Sequence, residues 1–220
     1  MTQTPPSLVD ETEAILSEAI LSGALAPGGR LTIPKLSMTY GIGVTPLREG
    51  LSRLTARGLV TATGNKGFRV AEISREDLLD ITESRILVET AALKRAFESP
   101  DTEWEDGLAG AMHKLSRIIR SCKTSVLEGG PEFDAAHKEF HTAIIAGCGL
   151  QRLMAVQSSL YDAAYRYRRI MKARSPHIEQ VHDIHHRLAT LVLARDPLAF
   201  VDLRNHLFTT HEVVYNDNKT

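Results

Sequence analysis

Apolar positions recur along most of this chain at the three- and four-residue spacing of a helix face, and strand-like alternation is confined to one short region. Residues 7–22, "SLVDETEAILSEAILS", predict a helix with Leu8, Ile15, Ala19 and Ile20 on its apolar face and acids near its start, where the helix dipole favours them. "GALAPGGRL" is dense in turn residues and ends it. "IPKLSMTYG" then supplies a short helix from near Pro34 to Gly41. In "GVTPLREGLSRLTARGLV", Leu47, Leu51, Leu54 and Leu59 share one side, while Arg48, Glu49, Ser52 and Arg53 occupy the others. Thr45 is the expected N-cap, Pro46 suits the first turn, and Gly58 fits just past the end. Strand-forming residues flank "GNKG", a good hairpin turn. Three helices followed by a two-stranded wing are the parts of a winged helix-turn-helix, which about 65 residues suffice to build.

Beyond Ile73 the pattern is helical throughout. "SREDLLDITESRILVETAALKRAFES" predicts one long helix capped by Ser74, along which Leu78, Ile81, Arg85, Leu87 or Val88 and Ala92 track. Further helices are expected near 102–124, 131–146, 150–173, 176–195 and 197–215, separated by "SP", "EGGPE", "GCG", "SP" and "DP". The expected fold class is therefore mostly α: a winged helix-turn-helix over residues 1–72, then an antiparallel helical bundle over residues 73–220. Ligand and metal sites in such bundles sit in the core between helices.

Charge changes this picture more than composition does. The formal net charge is −1, yet residues 28–70 hold seven basic side chains against one acid, Glu49, a local balance of +6. A polyanion is the natural partner of that segment. No apolar run approaches the roughly 18 residues that cross a membrane, and the N-terminus lacks the features of a signal peptide, so a cytoplasmic protein with no membrane partner is expected. Cys122 and Cys148 are too few for a disulfide framework and read as thiols in helical segments.

The basic segment is expected to set the helix around Arg48 into the major groove of double-stranded DNA, with the wing on the backbone or in the minor groove. Arg48 is the candidate for a base edge or neighbouring phosphate, since its fork bridges two acceptors. Lys35, Thr45 and Arg53 are candidates for phosphate contact or helix positioning. At the wing tip Asn65, Lys66 and Gly67 complete the set, Lys66 reaching the duplex where glycines admit close backbone approach.

Histidines form a second constellation. His137 and His141 are four apart in "EFDAAHKEFHTAI" and project from one face, with Asp134 one turn earlier. His182, His185 and His186 stand at i, i+3 and i+4, and His206 comes from the next helix. Singly, each reads first as a solvated surface residue; jointly, on facing helices, they suit a divalent metal as well.

In order and spacing these parts resemble the GntR family of bacterial transcription regulators, specifically its FadR subfamily with an all-helical effector (FCD) domain. "AILSGALAPGGRL", "LSMTYGIGVTPLREGLSRLTARGLV", "GNKGFRV" and "DITESRILVETAAL" carry the resemblance, which covers nearly the whole chain. It implies a ligand-responsive, non-enzymatic regulator that binds an operator as a homodimer, a state also suggested because one small reading head contacts little DNA. Where the family usually has Ser-Arg before Thr-Pro, this chain has Gly43 and Val44, removing a contact worth about 1 to 3 kcal/mol of base discrimination.

For the bundle, the resemblance implies a metal site of Asp and His four apart plus two later histidines. It assigns His141, His185 and His206 as ligands and puts His137 where the aspartate usually stands, His182 or His186 replacing His185 if the helix register differs. An all-imidazole set is softer, and zinc or nickel is the expected ion. Arg85 matches an arginine that in relatives points into the effector pocket, implying a small organic acid; the residues alone favour an i, i+4 ion pair with Glu89. The rival reading is a metal-dependent hydrolase, which leaves the basic segment unexplained and lacks an HExxH signature. A helical protein adaptor is a third.

Overall fold

The computed structural model describes residues 7–62, 67–99, 102–122, 130–170 and 178–215. They fall into two compact units, neither of them a single stretch of chain: residues 1–78 with 162–172, and residues 79–161 with 173–220. The mostly α architecture is borne out, with a small sheet in the first unit.

In the first unit α1 (Leu8–Leu21), α2 (Ile33–Tyr40) and α3 (Val44–Ala56) precede an antiparallel sheet of β1 (Arg30–Leu31), β2 (Val60–Ala62) and β3 (Phe68–Val70), in spatial order β1-β3-β2. β1 was not anticipated: two residues are too short for a periodic signal, and Arg30 and Leu31 pair with Arg69 and Phe68 only once the wing has formed. Ser7 and Asp10 close a reciprocal capping box at the start of α1. The Ser7 hydroxyl and the Arg53 guanidinium hold the Asp10 carboxyl down from its ordinary 3.8 to about 2.

α1 buries the expected Ala19 and Ile20 together with Leu16, whereas Leu8 and Ile15, also expected on the apolar face, lie exposed. Leu47, Leu51 and Leu54 of α3 are fully buried against it. The two helices meet closely at Gly50, where a Cβ would lie 3.0 Å from the Thr12 methyl and 3.5 Å from the Glu13 nitrogen. The start of α3 also differs from expectation. Gly43, extended at φ −67° and ψ 161°, takes the cap position, and Thr45 lies within the first turn with its side chain exposed. Gly41 ends α2 at φ +67°, a left-handed conformation that turns the chain towards α3.

α4 (Arg75–Glu98) and α7 (Gln151–Ile170) each belong partly to both units. The expected Ser74 cap is present, its hydroxyl accepting from the Asp77 amide at 3.0 Å. The second unit is completed by α5 (Thr102–Ser121), α6 (Gly130–Ala146), α8 (Ile178–Leu193) and α9 (Leu198–Tyr215). Its core runs through Leu93, Leu108, Leu115, Phe140, Ile144, Leu188, Val192 and Leu203. Leu87, placed on the buried track as an alternative to Val88, is instead 72% exposed, because Ile86 takes the inward position.

Candidate functional site

On the first unit, the outward face of α3 presents Thr45, Arg48 and Glu49, all exposed, and Lys35 stands exposed on α2. Among the described residues Arg48 and Lys35 hold no ion pair, so both charges are available to a polyanion. Arg53 and Arg57 are differently placed. Arg53 Nη1 lies 2.6 Å from Asp10 and 3.4 Å from Glu13, and Arg57 reaches Glu13 at 3.0 Å and Asp162 at 3.2 Å. Acids from α1 and α7 thus offset two of the cations that made residues 28–70 so basic. Gly67 is exposed at φ +88°, whereas Asn65 and Lys66 lie outside the described residues.

On the second unit, four of the predicted histidines converge. α6 contributes His137 and His141 one turn apart, α8 His185 and α9 His206. One ring nitrogen from each lies within 4.8 Å of the others. Nε2 of His137 is 2.9 Å from Nε2 of His185, and Nε2 of His141 is 3.0 Å from Nε2 of His206. His137, His141 and His185 are buried; His206 is half-buried. His182 and His186 stay outside the cluster and stack on each other, with centroids 5.7 Å apart.

Backbone and side-chain partners set how these rings present their lone pairs. His185 Nδ1 lies 2.6 Å from the Val181 carbonyl, which only accepts, so this nitrogen carries the hydrogen and Nε2 keeps its lone pair turned into the cluster. His137 Nδ1 is 2.5 Å from the Tyr161 hydroxyl, a group that donates or accepts and so serves either tautomer. His141 Nδ1 faces Glu89 Oε2 at 3.8 Å. An ion with bonds near 2.1 Å separates neighbouring nitrogens by about 3.0 Å at right angles and about 3.4 Å at the tetrahedral angle, so the four imidazoles and their outer partners fit a divalent metal after small adjustments.

Arg85 forms the i, i+4 ion pair that its spacing allows. Its Nε donates to Glu89 Oε1 at 2.8 Å, yet the pair is buried rather than on the surface, with side-chain exposures of 3% and 0%. Burial pushes the Glu89 carboxyl up, while the Arg85 guanidinium opposes that shift. Arg85 Nη2 is buried without a hydrogen-bond partner among the described residues, and its guanidinium lies 5.1 Å from the centre of the Tyr161 ring. A buried cationic donor left in this condition costs about 1 to 3 kcal/mol until an acceptor arrives. Tyr161 and, one turn earlier on α7, Gln157 are both buried.

Residues 8–70 match the model of bacterial regulatory proteins of the gntR family, and residues 80–209 match the FCD domain. This chain is a GntR-family transcription regulator with an FCD domain. The regulator is 38% identical over 206 residues to the HTH-type transcriptional repressor GlaR of Escherichia coli, covering 90% of this chain and 92% of that protein. It is 32% identical to the HTH-type transcriptional regulator BphR of Paraburkholderia xenovorans, over 94% of this chain and 85% of the relative. The same fold is found in E. coli McbR/YncC, with a TM-score of 0.73 at 21% identity over 97% of this chain and 100% of that one. Among the described residues no helix is long and apolar enough to cross a membrane. These relatives are described as regulators, and the hydrolase reading gains no support from them.

Proposed function

We propose that this regulator binds a palindromic DNA operator as a homodimer and responds to a small organic acid taken up in its helical bundle beside a divalent ion, zinc or nickel. Residues 1–72 read DNA in this scheme, and residues 73–220 sense the effector and pair the chains. The carrying observation for sensing is the buried Arg85 Nη2, a charged donor without a partner among the described residues, next to the Tyr161 ring that is itself bonded to the histidine cluster.

His137, His141, His185 and His206 would hold the ion, which when bound supplies positive charge and a place for a carboxylate oxygen. Arg85 would orient the acid by a charge-assisted hydrogen bond from Nη2. Tyr161 and the Val181 carbonyl fix the rings of His137 and His185. Coupling to DNA then requires only that the acid binds the DNA-competent and incompetent states with different affinity.

An exposed apolar groove between α4 and α9 supports the pairing of chains. Ile86, Leu87, Ala91, Phe200 and Val201 line it with Lys94 and Arg204, and Leu87 and Val201 are 72% and 52% exposed. A second copy is the occupant whose charge fits. The outer side of α4 is acidic at its start, with Asp80 and Glu83, and basic towards its end, with Lys94. Antiparallel packing of α4 on its copy about a two-fold axis near Val88 would cover Leu87 and set Glu83 of each chain opposite Lys94 of the other.

The test is enrichment of genomic fragments on the purified protein at two salt concentrations, beside Arg48→Ala. The expected result is one palindromic site, bound more weakly by about 10-fold or more in the variant and with rising salt. Recovery of fragments with no shared site would overturn the DNA-reading assignment of α3.

A further inference from the structure

Leu8, Ile15, Met38 and Val44 are the exposed large apolar side chains among the described residues of the first unit, and of these Val44 alone lies on α3. Val44 is the first residue of α3 and is 54% exposed. It stands one turn before Arg48, on the flank of the helix between that exposed arginine and the buried Leu47 and Leu51. The fold gains nothing from an apolar side chain there, since Val44 is absent from the core and Gly43 already caps the helix. A β-branched residue also has no advantage at a helix start.

The residues at the start of a recognition helix are those that reach base edges in the major groove. That groove displays hydrogen-bond donors and acceptors at every base pair and one apolar group, the C5-methyl of thymine. A valine can neither accept from the amino group of cytosine or adenine nor donate to guanine, and pressing it on those edges would strip them of water without replacement. Only thymine offers it a surface that water solvates poorly.

We infer that Val44 reads a thymine methyl in each operator half-site and that Arg48 reads a guanine beside it. The i, i+4 spacing covers about 6 Å along the helix, so the two bases lie within about two steps of one another. The inference rests on the reading that α3 enters the major groove, and it gives the chemical identity of what Val44 recognises there.

The experiment begins from the selected operator and replaces each thymine in turn by deoxyuridine, which removes the 5-methyl group and leaves base pairing intact. Wild-type protein is expected to lose about fourfold in affinity at one thymine in each half-site, the value of one buried methyl group. In Val44→Ser, whose fold is checked by circular dichroism, that penalty is expected to vanish. Repeating the selection with Val44→Arg is expected to replace the same thymine by guanine. The inference is overturned if the wild type tolerates deoxyuridine everywhere. It is equally overturned if the penalty survives in Val44→Ser, or if it disappears instead in Met38→Ala, the other highly exposed apolar residue of the helix pair, at 84%. Absence of any selected site is a separate result, which removes the groove-binding role of α3 itself.

Discussion

A single ring orientation decides what the histidine cluster can do. His185 and His186 are adjacent in sequence, but only His185 is buried with its Nδ1 held by a backbone carbonyl, so only its Nε2 is presented to the cluster. His185→Ala should therefore weaken zinc or nickel binding by at least about 100-fold in titration calorimetry, while His186→Ala leaves it unchanged. Glu89→Gln should fall between them, near 10-fold, because the carboxylate acts on His141 from 3.8 Å rather than on the ion. Equal effects of His185→Ala and His186→Ala would rule out this geometry. The spacing of His137 and His141 was enough to place both on one face of α6. The partners of Arg85 were only half legible: i, i+4 spacing gives the ion pair with Glu89, but sequence carries no measure of burial, and burial is what turns a weak surface pair into a charged site with a spare donor. Gln157 carries no signal for the same reason, since a polar residue on a helix pattern reads as solvated until the neighbouring helices close over it.

At the scale of elements, caps and breakers did most of the work. Ser74, Gly41, Gly58 and the inter-helix Pro and Gly segments each bound an element close to where the sequence placed it. Faces were harder. Leu8 and Ile15 have helical spacing to the buried Ala19 and Ile20 yet lie exposed, while Leu16 is buried where Gly50 lets α3 approach α1 at Thr12. Leu87 likewise follows the helical period yet points out into the α4 and α9 groove. That exposure gives the pairing surface its test. Glu83→Lys or Lys94→Glu alone should raise the dimer dissociation constant by about 10-fold or more in analytical ultracentrifugation, and the double exchange should restore it. Leu87→Asp should leave monomers with an unaltered helical content. Dimers indifferent to all three changes would place the interface elsewhere.

For the molecule as a whole, the first unit is completed by residues far away in sequence. Arg166, 3% exposed, donates from Nη1 to the Gly58 carbonyl at 3.2 Å and from Nη2 to the Glu72 carbonyl at 2.9 Å. Arg169 pairs with Glu18 at 2.7 Å, and the Tyr167 hydroxyl accepts from the Ser74 amide and donates to Asp77. Burial, with the Asp77 carboxylate, pushes that hydroxyl up to about 12, so it stays protonated and able to donate across the physiological range. Arg166→Ala should cost about 3 kcal/mol of unfolding free energy in urea, since two carbonyls lose a charged donor. No local pattern announces such contacts, which join positions about a hundred residues apart.

Arg166 holds main-chain carbonyls, which every amino acid possesses, so its grip places no demand on which side chains the winged helix carries. The surface that meets DNA is thereby free to diverge without loosening its attachment to the 162–170 segment. A recombinant exchange of operator specificity between related proteins should accordingly succeed when residues 8–70 are transplanted into a recipient that retains this arginine, and yield a poorly folded chimera when they are cut out and expressed without it.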